Sequence, residues 1–346
     1  MSSKIPVSVV TGFLGSGKTT LLNRALSHVA SLPQAGSIVV IVNEVGQVGL
    51  DHQLVKHISD NVVLLESGCV CCSVHGELVG ALRDLFMAAL QKKIPAFSRV
   101  IIETTGLADP SPIMYTLKYE RFLSERYAYE GCISVVDAVH GRAQLGQHPE
   151  AMQQAVLADA IVITKAELVS ADEQAALEDM LSAINASAPR YFMGALPALP
   201  VLLEASSFHN STMINKSRLA RRSSMKFSEN VADGVSKAHA DVRVITLSWA
   251  APVARSVFIK AISQLQAQAG PHLLRVKGIV FFQGESTASV IHGVHGQLYP
   301  VEAFNKTSPE MDGGAEGGSV LVFVLRGFSS HDFERNARAL LFGAAV

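Results

Sequence analysis

From Gly12 to Thr20 the chain reads GFLGSGKTT, and no other stretch limits so tightly what it can fold into. The spacing fits G-x-x-x-x-G-K-[ST]: Gly12 and Gly17 hold the fixed glycine positions, Lys18 is an ammonium able to reach phosphate, and Thr19 is a hydroxyl ligand for Mg²⁺. Such a loop aims successive backbone N–H groups, here across Gly15, Ser16, Gly17, Lys18, Thr19 and Thr20, at the oxygens of a nucleoside triphosphate. The required dihedrals suit glycine and exclude β-branched residues. The loop also needs a buried strand ahead of it and a helix behind it whose N-terminal dipole faces the anion. Ile5–Val10 (IPVSVV) reads as that strand and Lys18–Val29 as that helix.

A second apolar strand, Ser37–Asn43, runs into NEVGQVGLD. In parallel α/β sheets ligands collect beyond the carboxyl ends of the strands, which directs Asn43, Glu44 and Asp51 to the rim that carries the phosphate loop. Glu44 can ligate Mg²⁺ directly, hold it through water, or ligate a second metal; Asn43 and Asp51 fit turn and cap chemistry equally well. Val62–Glu66 is the next strand and leads into SGCVCCSVHGEL. Cys69, Cys71 and Cys72 place three soft thiolates within four positions, a set suited to one Zn²⁺, with Co²⁺ or Fe²⁺ as alternatives. The fourth ligand can come from His75, Glu44 or water, while a histidine at a helix start is as readily just solvated. Cys132, the fourth cysteine, stands apart in an apolar run and reads as a core residue. Clustered thiols fit a reducing, cytoplasmic compartment better than a disulfide framework.

Val74–Leu90 has helical apolar spacing, and Arg99–Glu103 is a strand ending in ETTGLADP. An apolar run, an acid, two residues and a glycine suit phosphoryl chemistry: Glu103 would place the attacking water or hold Mg²⁺ indirectly, and the Gly106 N–H would detect the γ-phosphate. Gly131–Asp137 and Ala160–Thr164 are further strands, the latter followed by TKAEL. Lys165 and Glu167 occupy the lysine and carboxylate positions of the N-K-x-D element that reads guanine, with Thr164 replacing the asparagine and Glu167 the aspartate. Adenine lacks the donor pair that such a carboxylate binds, so GTP is the expected nucleotide. TKAE also fits a helix-start capping box.

Repeated strands and helices after the phosphate loop describe an α/β P-loop NTPase with a doubly wound, mostly parallel sheet, in which Pro197–Glu204 is the expected last strand. Residues 205–241 turn polar and locally basic, through Arg218, Arg221 and Arg222, and read as a linker. Beyond it, Val242–Trp249, a helix over Val253–Ala267, a strand pair over His272–Gln283 and Ala288–Gly293, a strand at Ser319–Arg326 and a closing helix over Asp332–Leu341 make a smaller α+β domain. His292 and His295 fall on opposite faces of a strand and read as structural. The expected limits are 1–204, 205–241 and 242–346. With 346 residues and 49% hydrophobic content a sizeable core is available, and a net charge of −1 disfavours nucleic acid as a general partner. No signal-like leader or long apolar span is evident, which predicts no membrane partner.

Taken in order, GFLGSGKTT, NEVGQVGLD, GCVCC, ETTGLADP, VVDA and TKAEL resemble the CobW-like branch of P-loop GTPases, relatives of HypB and UreG, and LLRVKGIVFF, GVHGQLYP and SVLVFVLRGF look like that family's C-terminal domain. The resemblance implies a slow GTPase that carries a transition metal to an apo-metalloprotein client, and it allows a homodimer. Lys18 would neutralise phosphate charge, Glu103 or Glu44 would help place water, and metal would sit on Cys69, Cys71 and Cys72. Where the family commonly has NEFGE this chain reads Asn43-Glu44-Val45-Gly46-Gln47, one carboxylate fewer, and the histidine-rich tract of some members is reduced to His209 and His239. Two rival readings stay open: a nucleotide-regulated zinc or redox sensor without turnover, and an ATP-dependent kinase.

Overall fold

Apolar residues recur with a period of two along the first strand, and the computed structural model shows both of its faces covered. It describes residues 4–30, 37–43, 55–59, 62–67, 74–197, 202, 242–294, 297–298, 301–303 and 318–343. The chain divides into two compact units, residues 1–181 with 188–211, and residues 182–187 with 212–346.

In the first unit the chain runs β1 (Ile5–Thr11), α1 (Lys18–Ala30), β2 (Ser37–Asn43), β3 (Val55–Ser59), β4 (Val62–Ser67), α2 (Val74–Leu90) and β5 (Phe97–Glu103). It continues through α3 (Ser111–Tyr119), α4 (Arg121–Arg126), β6 (Tyr127–Asp137), α5 (Gly141–Gln147), α6 (Pro149–Leu157), β7 (Ala160–Thr164), α7 (Ala171–Ile184) and β8 (Arg190–Phe192). The sheet order is β3-β4-β2-β5-β1-β6-β7-β8, with β1 near its centre. Every pairing is parallel except that of β3 with β4.

On one face Val7, Val9, Val39, Ile41, Val100 and Ile102 pack with Leu78, Leu82 and Leu85 of α2, Ile113 and Leu117 of α3, and Leu123 of α4. On the other, Val10, Val40, Ile101 and Val162 pack with Leu21 and Leu22 of α1. Side chains alternate across a strand, so burial of both alternate sets is what a doubly wound sheet demands. Each fully buried Val, Leu or Ile contributes about 1.5–3 kcal/mol of transfer free energy. Cys132 is fully buried in the first of these clusters, as its apolar run predicts.

Of the expected strand over Pro197–Glu204 only Pro197 and Leu202 are described, neither of them as strand. Among the described residues the last strand of this sheet is β8, and Leu202, the one described residue of 198–204, is helical and buried in the core. Tyr191 and Phe192 of β8 are favourable strand residues. β6 also begins earlier than the expected Gly131, at Tyr127, with a register shift between Val7 and Ser8 of its partner.

The second unit contains β9 (Val242–Trp249), α8 (Arg255–Ala269), β10 (Leu273–Val280), β11 (Ser289–Val294), β12 (Gln297–Leu298), β13 (Glu302–Ala303), β14 (Ser319–Arg326) and α9 (Ser330–Phe342). Its sheet is antiparallel, ordered β12-β11-β10-β14-β9 with β13 on β11. Phe258, Ile262 and Leu265 of α8 and Phe333 and Leu341 of α9 fill one core with Leu247, Val276, Leu321 and Phe323. The expected turn near Gly284 is present, with Gly284 at a φ of 78°. The polar stretch 205–241 and most of the loop 306–319 lie outside the described residues.

Candidate functional site

The phosphate loop leaves β1 between the ends of two neighbours. β1 pairs with β5 so that Val10 lies opposite Glu103, and with β6 so that Thr11 lies opposite Ser134. Gly12, Gly15 and Gly17 all have positive φ. At Gly12 the demand is doubled: φ is 146°, and a Cβ would lie 2.4 Å from Val135 O and 2.8 Å from Ser16 Oγ. The loop is therefore packed against Val135 of β6 and its own Ser16 with no room for a side chain at Gly12, and α1 begins at Lys18 with its N-terminus at the loop. Positive-φ glycines ahead of a helix N-terminus are the backbone arrangement that suits an anion. Ser16 is buried, and among the described residues its Oγ has no hydrogen-bond partner. Lys18 Nζ donates to Gly12 O at 2.9 Å and Phe13 O at 3.3 Å, holding its ammonium at the loop. Thr20 follows as an exposed residue of the first turn of α1.

Glu103 is buried at the end of β5, and its Oε1 accepts a hydrogen bond from Thr19 Oγ1 at 3.1 Å. The following turn is stitched to β1, with Thr104 N donating to Val10 O at 2.9 Å and Thr104 Oγ1 to Thr11 Oγ1 at 2.8 Å. Gly106 lies directly on the phosphate loop: a Cβ there would be 2.7 Å from Leu14 N and 2.8 Å from Leu14 Cα. Backbone atoms cannot yield to an added methyl group, so only glycine permits this approach.

At the far side of the loop, Thr164 Oγ1 donates to Ser16 O at 2.7 Å. Lys165 takes a left-handed backbone, φ 56° and ψ 26°. Its Nζ donates to Gly15 O at 3.0 Å and to Asp137 Oδ2 at 2.6 Å. Asp137 is buried at the end of β6, and its other oxygen accepts from Val139 N at 2.7 Å. Thr164 and Lys165 thus brace the phosphate loop from β7, with Asp137 as an anchor that the sequence reading passed over. The available signal was its place, a carboxylate ending a strand beside the phosphate-loop strand.

Glu167 is exposed in a short 3₁₀ turn over Ala166–Leu168. It is not the partner in a capping box. That box forms three residues on, where Ser170 N and Oγ both donate to Glu173 Oε2 at 2.8 Å and Glu173 N donates to Ser170 Oγ at 3.3 Å. These bonds hold the Glu173 carboxyl below the usual carboxylate range.

Glu44, Asp51, Cys69, Cys71, Cys72 and His295 lie outside the described residues, and His75 is the second residue of α2. Asn43 and Ser67 face each other across the paired ends of β2 and β4, and β2 also pairs Val42 with Glu103. The segments carrying Glu44 and the cysteines therefore leave adjacent strand ends on the rim that holds Glu103. Among the described residues no group of three or more His, Cys, Asp or Glu could hold a metal ion, and no helix is long and apolar enough to cross a membrane.

A glycine cradle between a buried central strand and a helix, with a buried acid bonded to the first-turn threonine, defines a P-loop nucleotide-binding protein. The chain belongs to the CobW/HypB/UreG family: residues 6–192 match the CobW/HypB/UreG nucleotide-binding domain and residues 242–341 the cobalamin synthesis protein cobW C-terminal domain. It is similar to the zinc chaperone YjiA of Escherichia coli strain K12, 34% identical over 300 residues that cover 86% of this chain and 88% of that protein. It is also similar to the zinc chaperone CobW of Pseudomonas aeruginosa, 33% identical over 162 residues covering 44% and 40% of the two chains. The crystal structure of Zn(II)-bound YjiA GTPase from E. coli superposes with a TM-score of 0.69 at 28% identity, covering 98% of this chain and 99% of that one. The family and fold expected from the motifs are both borne out.

Proposed function

We propose that this chain is a slow GTPase and metallochaperone that couples GTP binding and hydrolysis to holding and releasing a transition metal for an apo-metalloprotein client. Zinc is the first choice of cargo because the similar proteins are named zinc chaperones, with Co²⁺ and Fe²⁺ as alternatives. The observation that carries the reading is the Thr19–Glu103 contact beside a Gly106 seated on the phosphate loop, a γ-phosphate-facing arrangement on the rim from which the cysteine segment issues. The working limits are a GTPase domain over 1–204, a linker over 205–241 and a C-terminal domain over 242–346. A cytoplasmic setting keeps the three thiols reduced.

Backbone N–H groups of residues 15–20 cradle the phosphates, and Lys18 leaves its loop carbonyls to neutralise β- and γ-phosphate charge. Thr19 Oγ1 would hold Mg²⁺, which when bound neutralises charge between the β- and γ-phosphates. Glu103, relieved of Thr19, would orient the water that attacks the γ-phosphorus; the bond to the β-bridging oxygen breaks, leaving GDP and inorganic phosphate. Glu44 would assist with water or metal. Gly106 N–H would report the γ-phosphate, while Thr164, Lys165 and Glu167 would form the guanine end. Cys69, Cys71 and Cys72 would take the cargo metal, with His75, Glu44 or water as fourth ligand.

Phosphate release from GTP tests the reading. Lys18→Ala and Glu103→Gln should each slow turnover about 10²-fold or more, Glu103→Gln with GTP binding retained. Turnover in Lys18→Ala equal to the unmodified protein would remove this site from the chemistry. Nucleotide binding without turnover would favour the sensor reading instead.

A further inference from the structure

Gly106 presents a physical problem. Leu14 leaves no room for a Cβ, so the residue must be glycine, yet glycine is the backbone unit with most freedom to lose. A peptide N–H meant to register a phosphate has to be fixed before the phosphate arrives, because preorganised donors need no reorganisation when charge appears.

The structure supplies a clamp from α6. Residues Ala151 to Leu157 of that helix are all buried, and among them a glutamine amide is costly unless bonded. Gln154, 1% exposed, directs Nε2 to two carbonyls of the turn, Gly106 O at 3.1 Å and Ala108 O at 3.0 Å. Carbonyls two residues apart held by one planar amide leave the intervening backbone little rotation, and Ala108 N closes the turn on Thr105 O at 3.1 Å. The same helix grips the phosphate loop at its start, where the His148 ring stacks on Phe13 at 4.5 Å between centroids and 28° between planes.

We propose that Gln154 is a positioning residue for the γ-phosphate response: its side-chain amide fixes the Gly106–Ala108 turn against the phosphate loop, so that α6 carries the difference between GTP and GDP. Its bonds go to the backbone of the turn, so it acts through Gly106. The proposal rests on the reading of Gly106 as the γ-phosphate sensor in a GTPase.

The full chain and Gln154→Met, which keeps length and loses both donors, should be compared by calorimetric affinity for GDP and a non-hydrolysable GTP analogue, and by kcat and KM for GTP. The variant should lose about tenfold in analogue-over-GDP preference and about tenfold or more in kcat, while GDP affinity stays within about twofold, because GDP has no γ-phosphate to register. Wild-type preference and kcat in a folded Gln154→Met protein would overturn the proposal and leave the GTPase reading standing. A wild-type protein that neither turns over GTP nor separates analogue from GDP would overturn both. Hydrogen exchange on the wild-type chain decides the matter without a variant: peptides over 103–109 and 149–157 should gain protection together with the analogue relative to GDP, and protection over 103–109 alone would contradict the clamp.

Discussion

Glu167 carries one methylene more than the aspartate usual at its position, and its surroundings decide what it is free to do. Ser170 and Glu173 perform the capping that TKAE also allowed, so the exposed Glu167 carboxylate has no such duty. Thr164 and Lys165 are committed to the phosphate loop through Ser16 O and Gly15 O, so in the proposed guanine end Glu167 would select the base edge. Glu167→Ala should therefore reduce the preference for GTP over ATP by about tenfold in competition binding, the size of one lost pair of charge-assisted hydrogen bonds. An unchanged preference would place base selection elsewhere. That the phosphate loop, Glu103, Gly106 and Lys165 lie together was legible in the sequence because motif chemistry fixes their spacing; that Lys165 bonds Gly15 O and Asp137 was not. Asp137 and Gln154 were not, since each acts on a residue far along the chain, Gln154 on a turn 46 and 48 residues earlier. Nothing local marks a buried glutamine as a clamp.

Strands announced themselves where apolar runs were short and unbroken, as in β2 and β7, because a sheet covered on both faces buries every position. The antiparallel edge β3 (VKHIS) has no such run, and β8, the other edge among the described residues, is only three residues long, so neither was legible. The contact of α2 with β6 has a property that pH can expose. Tyr127 is 1% exposed and donates its hydroxyl to Leu82 O of α2 at 2.8 Å. Burial pushes that phenol upward from its ordinary value. The folded form then keeps its proton where an unfolded tyrosine, near pH 10, loses it. Stability from this difference is fully present below about pH 10 and is lost as pH rises from there toward the folded-state value. Burial raises Tyr115, Tyr119 and Tyr191 as well, so only a difference isolates Tyr127. Urea unfolding of Tyr127→Phe should show about 1 kcal/mol less stability at pH 8 and a shallower alkaline decline than wild type. Parallel declines would show that Tyr127 does not contribute.

Across the molecule, two sheets of opposite character divide the work. The parallel one gathers strand ends into a nucleotide rim, and the antiparallel one is built around its own core of α8 and α9. The order of the motifs made the family legible, since each sits at the end of a strand that this topology brings to one edge. That edge would give the proposed coupling its physical basis. Glu103, Val42 and Asn43 are held in register beside the strand end that precedes the cysteines, so under the proposed function a γ-phosphate bound at one strand end would bear on its neighbour. Zinc affinity of the intact, reduced protein, measured against a chelating indicator with Mg-GDP and with a Mg-bound GTP analogue, tests this. Binding should be about tenfold or more tighter with the analogue, and Cys71→Ala should remove the difference. Equal zinc affinity in the nucleotide-free, GDP and analogue states would contradict the coupling of nucleotide to metal.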